Sequence, residues 1–408
     1  MLLKFHDPSV NAPWVVGGGG IGGLAAALSL SRSGLDVLVL ERAQKLSEIG
    51  AGIQLGPNAV AVLHQLGLWD EYRRVACLPG KLQAIDADTG QLLSTMDLTS
   101  FASRYGFPYT SVHRGDLQAI LLRAAQARAD VRVASEIYGL EQDKDDLLVY
   151  TNSADVSMQS IHAAALVGAD GLWSRVRQHV ITDGKPLFTG DVAYRALVPT
   201  RALPVALRST NVRIWMGAHI HVVAYPVKAG EAMNIVAIIS GRVTRDAESW
   251  EAQASGEQLA DITRKADAGL AQLLEFGTQL HGWQAWALHV RKPISASRYV
   301  KGRVALLGDA AHPMVPYLAQ GASMALEDAW QLGVSVRRTV DVENALKDYA
   351  LARWQRNARV QQRALRNGEI FHLHGVKRWG RDMALRLMGP RLMDSPWLYG
   401  AARQVAGS

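Results

Sequence analysis

Apolar residues dominate the N-terminal stretch so completely that no charged side chain stands between Pro8 and Ser31. Such a run can be a membrane or signal segment, a flexible linker, or buried strand and helix around a tight turn. Its internal order selects the third. "PWVV" suits a short buried strand, "GGGGIGG" a turn, and "LAAALSLSRSG" a helix ending at Gly34. "LDVLVLER" then forms a second apolar strand, closed by an acidic residue. Six glycines within seven positions are poor for a spanning or secretory helix, and the strongly patterned flanks do not suit a linker. The pattern therefore predicts a βαβ unit.

Two later segments repeat the passage from apolar strand to glycine turn to helix. In "LVGADGLWSRVR", Leu166 to Arg177, a strand runs into Asp170 and Gly171, and the helix after it carries Ser174 and Arg177. In "GRVALLGDAAHPMVPYLAQGASMALEDA", Gly302 to Ala329, a strand meets a turn at Gly308 and Asp309, then a proline loop, then a helix from Gly321. Between them, "DVAYRALVPT", "NVRIWMGAHIHVVAYPV" and "AMNIVAIISG" read as antiparallel strands with turns near Gly217 and Gly230. Ser255 to Leu280 reads as helix, as does most of the chain after Gly321, with Arg353, Arg356 and Arg359 on one polar face.

The opening turn carries chemistry. Gly18, Gly20 and Gly23 satisfy GxGxxG. The first glycine lets the chain turn, the second lets backbone approach a pyrophosphate, and the third lets helix and strand pack closely. Glu41 follows Gly18 by 23 residues at a strand end, where a carboxylate can accept hydrogen bonds from a ribose diol. Turn, helix and acidic strand end together predict dinucleotide binding. Asp170 and Asp309 admit a simpler reading as helix caps, and Arg114 one as a partner of Asp116.

With these three fingerprints in order, the chain resembles the single-component FAD-dependent aromatic hydroxylases, in the branch of salicylate hydroxylase and 3-hydroxybenzoate 6-hydroxylase, over roughly Val15 to Arg359. The resemblance implies an α/β fold: a Rossmann-like FAD-binding domain of the para-hydroxybenzoate hydroxylase type, with an inserted antiparallel-sheet substrate domain and C-terminal helices. The discontinuous FAD domain is expected over 1–80, 105–188 and 290–340, the substrate sheet over 81–104 and 189–289, and the helical region over 341–408. Gly18, Gly20, Gly23, Glu41 and Arg42 would hold the ADP half of FAD. Arg114 would reach the FAD, Asp170 and Gly171 would serve both FAD and reduced nicotinamide, and Asp309 would contact the ribityl chain or pyrophosphate. The helix from Gly321 would aim amides at the flavin pyrimidine edge. The family's P-x-x-G-Q-G-x-N is here Pro316, Ala319, Gln320, Gly321 and Ser323, and an alanine at that position is expected to avoid left-handed backbone. Trp14 and the extra Gly17 are unusual, and the indole must find room on the sheet.

For the substrate, His219, His221, Val223 and Tyr225 should share one strand face. His221 and Tyr225 match a histidine and a tyrosine of the 3-hydroxybenzoate branch. An imidazole can take a phenolic proton and a tyrosine can hold a carboxylate or hydroxyl, although both residue types are also common half-buried strand residues. Arg195 and Arg213 are candidates for a substrate carboxylate, or else surface strand charges. Pro316 would offer a backbone carbonyl to a substrate hydroxyl. "WQAW", Trp283 to Trp286, resembles part of a flavin-dependent halogenase motif, but the following residues do not continue it and core packing accounts for both tryptophans.

The implied reaction is NADH- or NADPH-driven hydroxylation of a small phenolic acid by dioxygen, through a flavin C(4a)-hydroperoxide, with 3-hydroxybenzoate 6-hydroxylation foremost. Decarboxylating salicylate 1-hydroxylation and 6-hydroxynicotinate 3-hydroxylation remain open. So do an oxygen-independent flavin dehydrogenase or reductase and a non-catalytic FAD protein.

Composition narrows the partners. Of 408 residues, 49% are hydrophobic and 20% charged, the balance of a globular enzyme. The net charge of +7 is scattered, with short groups such as Arg337 and Arg338, so small anions suit it better than nucleic acid. Outside the N-terminal segment no apolar run approaches the ~18 to 20 residues of a membrane span. Cys77, the single cysteine, excludes an internal disulfide and any metal site built on cysteines; it reads as a small buried helix residue. A cytoplasmic enzyme without metal fits these features, and a homodimer is compatible with them.

Overall fold

A computed structural model describes residues 12–46, 52–143, 146–153, 159–240, 256–280 and 282–407. Strand β1 (Trp14–Gly17), helix α1 (Ile21–Ser31) and β2 (Val37–Leu40) form the expected βαβ unit, and β1 and β2 pair in parallel. Every residue of both strands is buried, as befits a parallel sheet covered on two faces. Trp14 finds its room inside this core, paired with Ala165 on one side and Val37 on the other. Gly17 ends the strand where an added Cβ would come within 2.8 Å of Ile137 Cδ1.

Next come β3 (Gly52–Leu55), α2 (Pro57–Gln65) and α3 (Trp69–Val75), then the hairpin β4 (Lys81–Asp86) and β5 (Leu92–Asp97). Cys77 lies in neither helix. It forms an isolated bridge with Ser111 and is half-buried, so the helical expectation for it is corrected. The chain continues through α4 (Phe101–Tyr105), β6 (Thr110–His113), α5 (Arg114–Gln126) and β7 (Asp130–Arg132). An antiparallel meander of β8 (Ser135–Gln142), β9 (Leu147–Ser153) and β10 (Gln159–His162) precedes β11 (Ala165–Gly168) and α6 (Arg175–Val180).

The middle of the chain builds β12 (Leu187–Pro199), β13 (Val212–Gly217), β14 (Ile220–Val227), β15 (Ala232–Ser240), α7 (Gly256–Thr263), α8 (Ala268–Leu280) and β16 (Gln284–Val290). The two helices fall where helix was expected, except that Ser255 lies outside the described residues. These strands join β4 and β5 in the order β16-β12-β15-β14-β13-β4-β5. The sheet is antiparallel except between β13 and β4, which run parallel, because β4 arrives from an earlier part of the chain. Alternate residues divide its faces. Trp215, Val222, Ala224, Ile235 and Ala237 pack with Leu259, Leu270 and Leu273 of α7 and α8; Ile214, Met216, Val223, Val236 and Ile238 turn the other way.

Returning to the first sheet, β17 (Val300–Lys301) and β18 (Val304–Leu306) complete the order β17-β18-β11-β1-β2-β7. Helix α9 (Gly321–Arg338) crosses α1 so closely that a Cβ on Gly333 would stand 2.9 Å from Ser29 Cβ. Then α10 (Val342–Phe371), α11 (Gly375–Met393), α12 (Pro396–Tyr399) and α13 (Ala401–Ala406) follow. The polar face expected on α10 is corrected. Arg353 is buried and pairs with Glu327 and Asp328, and Arg356, half-buried, pairs with Glu327, so these two face protein; Arg359 stays exposed, with its guanidinium over the Trp397 ring. Among the described residues no helix is long and apolar enough to cross a membrane.

Candidate active site

The two sheets meet across a cavity of about 960 Å³, with the glycine turn at one end and the β12–β16 strands at the other. At the turn, Gly18 has φ +109°, a conformation that L side chains rarely adopt, and a Cβ there would lie 2.4 Å from the Ala169 oxygen. A Cβ on Gly23 would stand 1.9 Å from the Gly18 oxygen, so this residue serves helix–strand contact and does not line the cavity. Gly20 differs from both: a Cβ on it would meet nothing within 4 Å and would occupy open cavity. The first-turn amides of α1 lack intrahelical acceptors, as in any helix, and Ile21 and Gly22 bring them to the cavity wall.

Glu41 sits beside that turn. Its Oε2 accepts from Gly19 N at 2.6 Å and its Oε1 from Ala43 N at 2.8 Å. Each oxygen keeps a second acceptor position, which suits a diol. Arg42, exposed, lines the same end.

Asp170 follows β11 on the cavity wall. Its carboxylate accepts from Ser174 Oγ and from the amides of Arg175 and Val176, at 2.8 and 3.2 Å, so it caps α6 and lines the cavity at once. Burial raises its pKa, and these hydrogen bonds offset part of that rise. Gly171 beside it has φ +78°. The fully buried Arg177 ties this segment to the third fingerprint: its Nη1 donates to the carbonyls of Ala310 and Ala311 at 2.7 and 2.8 Å.

Asp309 faces the cavity from the turn after β18. Surrounding protein raises its pKa, while His312 and Arg114 pull it down. Arg114 is the first residue of α5 and lines the cavity, and Asp116, in the same helical turn, approaches His113 Nδ1 at 3.5 Å. Gly321 opens α9 on the cavity wall, and no side chain caps that helix end, so its dipole and free amides face the space. Ala319 adopts left-handed backbone, φ +52° and ψ 40°, contrary to expectation. The turn between Pro316 and α9 imposes that conformation on it.

On the sheet face, His221, Val223 and Tyr225 line the cavity together, with Arg195 on β12. His219 does not join them. It is an exposed residue of the β13–β14 turn with φ +63°, where the alternation of the strand has ended. Arg213 is also corrected: its neighbour Ile214 lines the cavity and Arg213 does not, so alternation sends it to the other face. Trp283 packs in the core, as expected, whereas Trp286 lines the cavity beneath the Arg195 guanidinium. Pro316 borders the space from its loop.

His221 is 1% exposed, and its Nδ1 lies 2.8 Å from His372 Nε2. Burial, and then His372, hold its pKa well below 6.5, so the ring is neutral near pH 7. Burial pushes Tyr225 up to about 12, against the pull of Arg195 and a Gln54 hydrogen bond, so its phenol stays protonated and donating. Gln54 and His372 escape sequence reasoning, since neither periodicity nor a turn motif marks them. Tyr317 does carry a signal, its place directly after Pro316.

The space beside Gly20, the two helix N-termini and the acceptors Glu41 and Asp309 together suit a long, diphosphate-bearing cofactor. A family model described as an FAD binding domain matches residues 12–364. The chain belongs to this family of FAD-dependent aromatic monooxygenases. The monooxygenase is 37% identical to 3-hydroxybenzoate 6-hydroxylase 1 of Aquipseudomonas alcaligenes, over 95% of this chain and 97% of that one. Its fold resembles that of Klebsiella pneumoniae HpxO complexed with FAD and uric acid, with a TM-score of 0.83, 26% identity and 97% of each chain covered. It also resembles a salicylate hydroxylase substrate complex, with a TM-score of 0.77, 26% identity and 97% of each chain covered. These likenesses establish the para-hydroxybenzoate hydroxylase type of fold for the monooxygenase. Among its described residues, no group of three or more His, Cys, Asp or Glu is arranged to hold a metal ion.

Proposed function

We propose that this monooxygenase hydroxylates 3-hydroxybenzoate at carbon 6, para to the phenol, using NADH or NADPH as reductant. The observation that carries this reading is the shared sheet face on which a neutral, buried imidazole, a protonated tyrosine and a guanidinium meet. The name of the relative from A. alcaligenes supports the same substrate.

Gly18, Gly20, Glu41, Arg42 and the α1 amides would hold the ADP half of FAD. Gly23 would act through the packing of the turn. Arg114, Asp170, Gly171, Asp309 and the Gly321 amides would hold the remainder. When bound and reduced, FAD supplies the activation of dioxygen. The chain's own residues do the rest. Arg195 binds the substrate carboxylate, Tyr225 donates its phenolic hydrogen, and the Pro316 carbonyl accepts from the substrate hydroxyl before ionisation. His221 Nε2, the nitrogen not engaged by His372, takes the phenolic proton. The resulting phenolate is electron-rich at its ortho and para carbons, which favours electrophilic oxygen transfer. The apolar side chains Ile214, Met216, Val236 and Ile238 keep water from the ring.

The test is NADH and NADPH oxidation by the FAD-loaded protein with 3-hydroxybenzoate, salicylate, 4-hydroxybenzoate and 6-hydroxynicotinate, with products identified by mass and NMR. Fast oxidation with 3-hydroxybenzoate, giving a product one oxygen heavier and substituted para to the phenol, supports the reading. Turnover of salicylate alone with loss of carbon dioxide, or hydrogen peroxide as the sole product with every acid, overturns it.

A further inference from the structure

His221 does not end in the protein interior. His372, its partner across 2.8 Å, is the residue at which α10 ends, and it is half-buried. The second nitrogen of His372, Nδ1, lies 3.5 Å from Ser240 Oγ on the exposed end of β15. Ser240 Oγ donates to Asp191 Oδ1 at 2.9 Å, and Asp191 Oδ2 accepts from Tyr317 OH. A line of polar atoms thus runs from the cavity face of β14 to the edge of the sheet.

The direction of its hydrogens follows from its last member. Asp191, as a carboxylate, only accepts. Ser240 gives it the hydroxyl hydrogen, which leaves the Ser240 oxygen to accept and favours the His372 tautomer with its hydrogen on Nδ1. His372 Nε2 is then bare and receives from His221 Nδ1–H. His221 Nε2 is left bare toward the cavity, which is the state a base requires.

We propose that His372 and Asp191 are positioning residues that fix the His221 tautomer and carry the substrate's phenolic proton out to solvent. This inference rests on the reading of His221 as the base. The transfer conserves charge and involves no change of oxidation state. The phenolic proton goes to His221 Nε2, the Nδ1 proton of His221 to His372 Nε2, the Nδ1 proton of His372 to Ser240 Oγ, and the Ser240 hydroxyl proton to Asp191 or water. The phenolate keeps the electron pair of its O–H bond. The 3.5 Å step is the longest, and it lies where solvent is at hand.

The surroundings favour passage over storage of a proton on the pair. His221 is packed by Met216 and Ile238 on the neighbouring strands and by Tyr317 and Phe371. Around His372 stand Tyr317, His219 of the β13–β14 turn, Arg381 of α11 and Asp191 of β12. Burial, His219 and Arg381 disfavour charge on His372, and Asp191 favours it.

The experiment mixes the FAD-loaded enzyme with 3-hydroxybenzoate in weak buffer containing a pH indicator, and follows proton release and phenolate absorbance by stopped flow across pH. Unsubstituted enzyme is compared with His221→Gln, His372→Phe, His372→Gln and Asp191→Asn. Both His372 variants should slow proton release at least about tenfold while substrate affinity changes little. His372→Gln keeps a polar side chain but cannot pass a proton. Histidine ¹⁵N spectra of the substrate-free holoenzyme should show His221 and His372 both neutral and protonated on Nδ1, with the preference weakened in Asp191→Asn. Proton release at the unsubstituted rate in both His372 variants, with His221→Gln impaired, overturns the relay and leaves the base standing. An unimpaired His221→Gln, or binding without proton release by unsubstituted enzyme, overturns the base and the relay with it. Nε2-protonated tautomers in the substrate-free enzyme overturn the relay alone.

Discussion

The guanidinium carbon of Arg195 lies 3.9 Å from the centre of the Trp286 ring. Stacking on the indole holds the cation on the cavity face of the sheet and limits its rotamers, which prepares it to meet a planar carboxylate. Arg195→Gln should therefore raise KM for an aromatic acid about 10- to 100-fold, the effect of losing a charge-assisted hydrogen bond, with a smaller change in kcat. Arg213→Gln, on the opposite face, should leave both constants near their starting values. Steady-state kinetics on the two variants check this pair.

The glycine turn separates binding from packing. Gly20→Val should give a folded, colourless protein, because the new side chain enters the cavity space proposed for the pyrophosphate and touches no protein atom at its Cβ. Gly23→Ala should also lower the melting temperature, since its Cβ would clash with the Gly18 carbonyl. Flavin absorbance and thermal unfolding of both variants measure the difference. A yellow, fully active Gly20→Val would remove Gly20 from the cofactor site.

Ala319 holds left-handed backbone that costs an L residue roughly 1–2 kcal/mol. Ala319→Gly should stabilise the protein by about 1 kcal/mol or less once the greater freedom of the unfolded glycine is deducted. Ala319→Val should destabilise it. Urea unfolding midpoints decide the sign.

Beneath α9, Asp328 joins His312, Arg353 and Asn357, while Glu327 joins Arg353, Arg356 and Asn58. Burial alone would raise both carboxyl pKa values, but His312 and Arg353 at Asp328, and Arg353 and Arg356 at Glu327, bring them net below their ordinary values. The unfolded chain then binds more protons than the folded one below about pH 4. Their stabilisation is complete above that pH and is lost as pH falls through the depressed folded values. Arg353→Met should cost about 3–5 kcal/mol near neutrality by leaving buried charge uncompensated, and should flatten the acid limb of stability against pH. Denaturant titrations from neutral pH downward test both effects.

The glycine turn and the acidic positions on the cavity wall were legible in the sequence because their signals are local: Gly18, Gly20 and Gly23 lie within six residues, and Glu41, Asp170 and Asp309 each follow a strand closely. The shared face of His221 and Tyr225 was legible for the same reason, since strand alternation is a two-residue rule. His219 and Arg213 show where that rule stops, at a left-handed turn and on the wrong parity. The long helix α10 misled by its charges, because Arg353 and Arg356 find their carboxylates on α9, which no spacing within α10 can reveal. His372 is more distant still: its meeting with His221 spans 151 residues of chain and depends on where α10 ends.

The order of strands in the first sheet bears on how the protein is made. Val16 pairs with Val167, and Val167 in turn with Ala305, so adjacent strands leave the ribosome far apart in time. At roughly 5–20 residues per second, β1 and its glycine turn must wait many seconds for β11 and longer for β18. Until then β1 has β2 as a neighbour but an open edge on its other side, a surface that invites pairing with foreign chains. That edge is closed by β11, and the next one by β18, so the sheet that carries the glycine turn is finished only by strands made long after it.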